Sequence, residues 1–447
     1  MSNINLIGFF FTLAMGLLVL ALPRRSAILP IIMTACFITL GQVIVFASLN
    51  FTMFKIIIFF GLARIIFRKE VFSIRLHAID KLLIAYVIVS ATAYTLLRNG
   101  SGEAIVSQLN FISTSLFPYV IFRALIHDLG DIKAILIILA LVTLPVAVAM
   151  TIESTTGRNL FSAFGGVPEF TAVRDGKLRC QGAFSHPILA GSFGATSLPF
   201  MIALWFWADG RKWIAGLGAI SATIITITSA SSGPVLTYVI ALIAMAMWFL
   251  RDHMRAVRWS MLLTLLGLHL VMKAPVWALI GKLSEIIGGT GWHRVMLIDA
   301  AISHFDEWWL FGTDHTRHWL PTGVTWSEEH TDITNHFIGV GIQGGLLSLI
   351  LFVVIIVFCF KNLGMKLKEF RSSGFPVQFT VWCVGAVLVG HLASFTSVRY
   401  FDQIIVFWYL LLAIVTAISM IPAETLLANT ATASPDPYRS NLWGLRS

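Results

Sequence analysis

Charge is what this chain has least of. Only 12% of its 447 residues are Asp, Glu, Lys or Arg, about half the roughly 25% of an ordinary soluble domain. Cysteine is scarce as well. Cys36, Cys180, Cys359 and Cys383 are too few and too scattered for a disulfide framework or a thiolate metal centre. Three of them lie in apolar runs, where cysteine serves as a small hydrophobe. No fixed-period repeat or low-complexity linker is present, and no HExxH, P-loop or dinucleotide-binding glycine signature. These absences exclude a soluble enzyme, a disordered protein and a secreted disulfide scaffold.

In place of charge the chain has apolar surface. Hydrophobic residues make up 57% and the mean hydropathy is +0.85, more than a water-soluble fold of this length can hide. A hydrocarbon core about 30 Å thick takes about 20 apolar residues per helix. Candidate spans fall near 4–22, 27–49, 51–67, 78–97, 104–126, 132–152, 187–208, 214–230, 234–250, 258–281, 336–360, 376–394 and 402–421. The expected fold is all-α, a polytopic transmembrane helical bundle of about 12–13 spans with a large loop outside the membrane, which the family resemblance given below makes periplasmic. One membrane domain covers 1–424, and a polar tail over 425–447, with Pro435 and Pro437, is expected to be disordered.

The connections alternate in charge. One set, from Arg24 and Arg25 through Lys366, Lys368 and Arg371 to Arg439 and Arg446, carries 19 Lys and Arg; the other carries 9, and three more sit inside spans, completing the 31. By the positive-inside tendency the richer set faces the cytoplasm, so the long loops near 153–186 and 282–335 face outside. The net charge of +9 is thus explained by topology, with no nucleic-acid partner. The first span has no basic flank before it and is followed by Pro23-Arg24-Arg25, which reads as a retained helix and not a signal peptide. Lys55, Arg64 and Arg123 near span ends are expected to snorkel, whereas His269 and Lys273 at depth are costly.

The 282–335 loop is unlike the rest. With His336 at its edge it holds six of the twelve histidines, His293, His304, His315, His318, His330 and His336, together with Trp292, Trp308, Trp309, Trp319 and Trp326. An interfacial tryptophan belt with solvated histidines is the bland explanation; a site pairing titratable groups with aromatic faces is the sharper one. The other loop carries Arg174, Lys177 and Arg179 within six residues, running into Phe184-Ser185-His186-Pro187. Three cations at an outside helix lip oppose the orientation rule, which points to anion binding. Arginine takes phosphate in forked, charge-assisted geometry; lipid headgroup contact or pairing with Asp175 is the alternative. His315 and His318 stand a helical turn apart without a convincing third ligand, so no metal is expected. Ser229 to Pro234 with a distant His391 could suggest an intramembrane serine hydrolase, but small residues there more often permit close helix packing.

Four stretches resemble the O-antigen ligase and O-antigen/exopolysaccharide polymerase superfamily of membrane glycosyltransferases. They are Arg179-Cys180-Gln181-Gly182-Ala183-Phe184-Ser185-His186-Pro187, Gly291-Trp292-His293-Arg294, Trp308-Trp309-Leu310-Phe311-Gly312, and His330-Thr331-Asp332 through Gly341-Ile342-Gln343-Gly344. His330, Thr331, Gly341 and Gly344 match the family's histidine, small polar residue and two-glycine spacing, with threonine where asparagine, serine or glutamine is usual. His336, after Asn335, is similar to the exopolysaccharide branch, so either His330 or His336 is the catalytic histidine, with spacing favouring His330. Arg294 corresponds to the family's loop arginine. A family arginine that follows Thr-x-Ser is absent at Ser231-Ser232-Gly233, so that cation is either missing or supplied from elsewhere, with Arg179 the candidate.

The resemblance implies transfer of a glycan from a polyprenyl diphosphate carrier to an acceptor hydroxyl, outside the bacterial inner membrane. The acceptor is a lipid-linked repeat for a polymerase or a lipid A core for a ligase. Arg294 and Arg179, with Arg174, Lys177 and His293 nearby, are expected on the diphosphate, where fixed cations stabilise leaving-group charge in place of a metal or cofactor. His330 or His336 is the general base, and Trp308, Trp309 or Trp326 stack on sugar. Membrane lipids and a chain-length regulator are the other partners implied. A flippase of lipid-linked oligosaccharide is the competing class; it would place charged or broken helices in matched halves.

Overall fold

The computed structural model describes residues 4–39, 41–46, 49–207, 210–286, 291–325 and 327–422. Trp326 and the 425–447 tail lie outside them. The chain is an all-α polytopic bundle. Among the described residues seven helices are long and apolar enough to cross a membrane, and Leu6–Ala21, Lys212–Thr228 and Ile404–Met420 are shorter apolar helices. In lipid a backbone must satisfy its own polar groups, which helices do within one segment.

Helix starts follow the local chemistry. The Asn5 side chain accepts from the Ile7 and Gly8 amides at the head of Leu6–Ala21. Asp128 and Asp131 form a reciprocal capping box on Leu129–Thr156, an arrangement that satisfies two otherwise orphaned donors. That helix ends at Gly157, whose φ of 71° is the left-handed C-terminal turn that glycine adopts without penalty.

Each expected span contains a helix, with three departures in extent. Residues 27–49 form helix Ile28–Phe37 followed by an antiparallel hairpin, Val43–Phe46 with Leu49–Thr52, in which Val43 pairs with Thr52. Buried Gln42 precedes the hairpin, and its side chain binds the Asn5 amide and the Phe164 carbonyl, a polar anchor that β-branched Val43-Ile44-Val45 then continues as strand. The 258–281 span stops early, since helix Met254–Val271 gives way before Pro275. Helix His336–Glu369 outruns its prediction and breaks at Gly345, where φ is 76°.

Two arginines expected to snorkel are buried instead. Arg64 pairs with Glu70 at 2.9 Å and donates to the Val19 and Leu22 carbonyls. Arg123 pairs with buried Asp80 at 3.0 Å, and Tyr119 donates to the same carboxylate.

The core centres on helices Pro187–Trp207 and Ile404–Met420. Small residues bring the first close to its neighbours: a Cβ on Gly194 would lie 2.7 Å from the Ala222 carbonyl oxygen, the kind of backbone approach that membrane helices use in place of a hydrophobic drive. A smaller core of Leu297, Ala300, Ala301, Trp308, Trp319, Leu320 and Ile342 fastens the 282–335 loop to the start of His336–Glu369. Helix Met254–Val271 buries none of its residues.

Candidate functional site

Arg179 is fixed by the ends of two helices. Glu153, buried in the last turn of Leu129–Thr156, accepts from the Gln181 amide at 3.1 Å, the Gly182 amide at 3.0 Å and the Thr171 hydroxyl at 3.1 Å. Cys180 donates its amide to the Thr228 carbonyl at 3.1 Å, at the end of Lys212–Thr228. So held, Arg179 donates from Nη2 to Ser231 Oγ at 2.9 Å, while its buried Nε has no hydrogen-bond partner.

Ser231 is the N-cap of Ser232–Ala246, and its own side chain caps none of the helix amides. A helix start of this kind carries partial positive charge and exposed donors. Arg294 reaches the same place from helix Gly291–Ser303. Its Nη2 lies 3.5 Å from where a Gly233 Cβ would stand, and Ser397 Oγ lies 2.7 Å from that point. Any side chain at Gly233 would fill the space between them. Burial lowers the pKa of the Arg294 guanidinium. Burial and then Arg174 do the same to Arg179, with Asp175 opposing, yet a guanidinium stays charged at any physiological pH. Two cations, two hydroxyls and a helix N-terminus therefore meet around Ser231–Gly233, a donor set suited to a diphosphate-like anion.

Two of the histidines, His330 and His336, lie within electrostatic reach of Arg399. This residue belongs to the 396–403 turn, two positions from Ser397 and hence no more than about 7 Å along the backbone from it. Arg399 donates from Nη2 to Gln343 Oε1 at 3.0 Å and lies against Gly339. His336 is half-buried against Phe395, Tyr400 and Phe352. Its Nδ1 accepts from the Tyr400 amide at 3.2 Å, which in the neutral ring puts the proton on Nε2 and leaves no lone pair to receive another. His330, on strand Ser327–Thr331, bonds through Nδ1 with Ser327 Oγ at 2.8 Å. With Nδ1–H donating, Nε2 holds the lone pair that a base needs. Burial lowers the pKa of His330; Asp314 opposes, and Arg98 and Arg399 add to the lowering. The ring is thus neutral at pH 7.

The other expected residues divide. His293 ties the two clusters together: its Nε2 bonds the Asp332 carbonyl at 2.9 Å, so Arg294 is one residue from a contact made two residues after His330. Trp308 is buried, donating Nε1–H to the Ala301 carbonyl with its ring on Gly341. Trp309 is 46% exposed, leaving a face open. Arg174 and Lys177 pair as register partners on an exposed hairpin, Val173–Arg174 with Lys177–Leu178.

Sequence reasoning missed Arg399, Ser397 and Asp402. Arg399 had a signal: it opposes the positive-inside bias on the same side as Arg174 to Arg179. Asp402 accepts from the Ser185 amide at 3.2 Å, and burial raises its carboxyl to about 6. Beside it, burial, Arg179 and Arg174 lower His186 to about 4.

No model of a known protein family matches the chain, and no curated protein matches it with significance.

Proposed function

We propose that this chain is a membrane glycosyltransferase of the O-antigen ligase/polymerase type, working on the extracytoplasmic side of the bacterial inner membrane. The donor is a polyprenyl-diphosphate-linked oligosaccharide, and the acceptor is a sugar hydroxyl on a lipid-linked repeat or lipid A core. The observation that carries this reading is the meeting of Arg179 and Arg294 at the start of Ser232–Ala246, with the buried Arg179 Nε lacking a protein partner. Arg179 takes the place of the arginine that the resembled family carries after its Thr-x-Ser.

In the proposed step the acceptor hydroxyl oxygen bonds to the anomeric carbon as the bond from that carbon to the diphosphate oxygen breaks. The electron pair leaves on the diphosphate, where Arg179, Arg294 and the helix amides stabilise it. The hydroxyl proton passes to Nε2 of His330, a general base already in its unprotonated form. Trp309 supplies an aromatic face for a sugar ring. Burial, with Arg98 and Arg399 adding to it, favours the neutral form of the base.

The test is deletion and complementation with Arg294→Ala, Arg179→Ala and His330→Ala, reading membrane abundance and surface polysaccharide length. Loss of polymer at normal abundance, with lipid-linked repeat still presented outside, supports transfer. Parental polymer in all three variants removes the site. Precursor trapped on the cytoplasmic side instead supports a flippase.

A further inference from the structure

We propose that His304, Glu307 and His318 form a binding site for a divalent transition-metal ion of the zinc class. The site lies in the 282–335 loop and is independent of the glycan-transfer reading. His304 Nδ1 is 2.8 Å from Glu307 Oε1, and His318 Nε2 is 2.9 Å from Oε1 and 3.0 Å from Oε2. One donor atom from each of the three side chains lies within 4.8 Å of the others. Two imidazoles and a carboxylate are a donor set that zinc uses when a fourth position is left to water or another ligand. Metal–ligand bonds of about 2.0–2.2 Å put tetrahedral donors about 3.3 Å apart, so each histidine–Glu307 pair needs to open by only a few tenths of an ångström.

The protons that now bridge each ring to the carboxylate occupy the place the cation would take. Binding releases or displaces them and leaves both rings neutral, as metal ligation requires. The surroundings already orient the ligands. Trp319 donates Nε1–H to Glu307 Oε2 at 3.0 Å, and its ring stacks on His304 with centroids 5.6 Å apart and planes 6° from parallel. Partners of this kind fix a ligand's direction and are a regular part of metal sites. The three side chains are partly exposed, so an ion can enter.

His315, the ring that sequence spacing paired with His318, is not a member: it bonds Glu329 at 2.8 Å. An ion held by the triad would join helix Phe305–Trp308 to the Arg317–Trp319 turn across Gly312. That turn in turn holds the His330 strand, through Thr316 N to the Glu329 carbonyl at 2.9 Å and Thr331 N to Thr316 Oγ1 at 3.1 Å. Occupancy therefore stiffens the strand that carries His330.

The experiment uses the full chain in detergent, purified without a polyhistidine tag, stripped with chelator and titrated with Co²⁺ as a visible stand-in for zinc. The expected result is one equivalent bound with the intense visible bands of a low-coordinate cobalt site, displaced by one equivalent of Zn²⁺. His304→Ala and His318→Ala should abolish those bands, Trp319→Phe should weaken affinity about tenfold or more, and His315→Ala should leave it unchanged. Zn²⁺ should raise the thermal midpoint of the parent and not of His318→Ala. Absence of stoichiometric Co²⁺ binding by the parent, or equal binding by the parent and both histidine variants, overturns the proposal.

Discussion

The two ends of helix Leu129–Thr156, about 40 Å apart, treat arginine in opposite ways. At its start Arg24 and Arg25 close on Asp131 at 2.6 and 2.8 Å, and Arg25 also reaches Asp128 at 3.0 Å. At its other end Glu153 spends its oxygens on the amides of Gln181 and Gly182. Arg179 is left with a serine hydroxyl, and among the described residues no carboxylate is within ion-pair distance of Arg179 or Arg399. A matched pair is complete in itself and serves the fold. A half-buried cation answered only by neutral groups is stable in place but electrostatically unfinished, which is what the proposed diphosphate would complete.

Breaking a matched pair should have the largest effect and fall on folding. Asp80→Ala strands Arg123 in the core, and losing one partner of a buried pair costs about 3–5 kcal/mol. Folded yield and thermal midpoint in detergent should drop sharply, and unchanged values would show that the pairs are not structural. Arg294→Ala should instead spare abundance and lower glycan transfer on the order of 10²–10³-fold, the scale of losing one preorganised charge donor. Arg179→Ala should do likewise with a thermal midpoint equal to or above the parent's, because a buried Nε without a partner is removed. A large loss of stability there would erase the contrast between the two ends.

Next come the histidines. His330→Ala should cost on the order of 10²–10⁴-fold in rate, whereas His336→Gln should cost less, since its Nδ1 is already taken by the Tyr400 amide. In the proposed step the active form of His330 is neutral, and burial lowers its pKa below the ordinary 6.5. Activity should therefore hold as pH falls from 7 through 6.5 and decline only in more acidic buffer. Arg399→Gln removes a cation that disfavours the charged ring, so the declining limb should move to higher pH. A limb that stays put would separate Arg399 from His330. The smallest effect is expected from Trp309→Ala, about two- to tenfold in apparent acceptor affinity if one ring stack is lost.

Most of the fold was legible because burial in lipid is written locally: an apolar run of sufficient length has few options but helix. The failures came where a polar or conformational detail overrode the run. Gln42 turned the end of one span into a hairpin, Pro275 ended another, and Gly345 divided a third. The site was legible by residue type and much less by partnership. Loops of opposing charge pointed to Arg179, and a spacing pointed to His330. Only the family resemblance offered Arg179 for the place at Ser231, 52 positions away, and nothing in the sequence says that His318 takes His304 and Glu307 in preference to His315. Such pairings depend on helix packing, which a linear pattern does not encode. Arg399 is one of the nine Lys and Arg of the poorer set, and no motif around it marks it out from the others.

The seam between the 282–335 loop and helix His336–Glu369 is made of glycine. A Cβ at Gly312 would run into the Ile342 carbonyl, one at Gly341 into the Trp308 ring, and one at Gly345 into the Leu310 carbonyl, while Leu346 donates its amide to the Trp309 carbonyl at 2.7 Å. The loop is seated largely main chain on main chain. Side chains facing away from that seat can consequently be exchanged without loosening it, so a lineage could rewrite what the loop recognises while the socket that holds it stays the same.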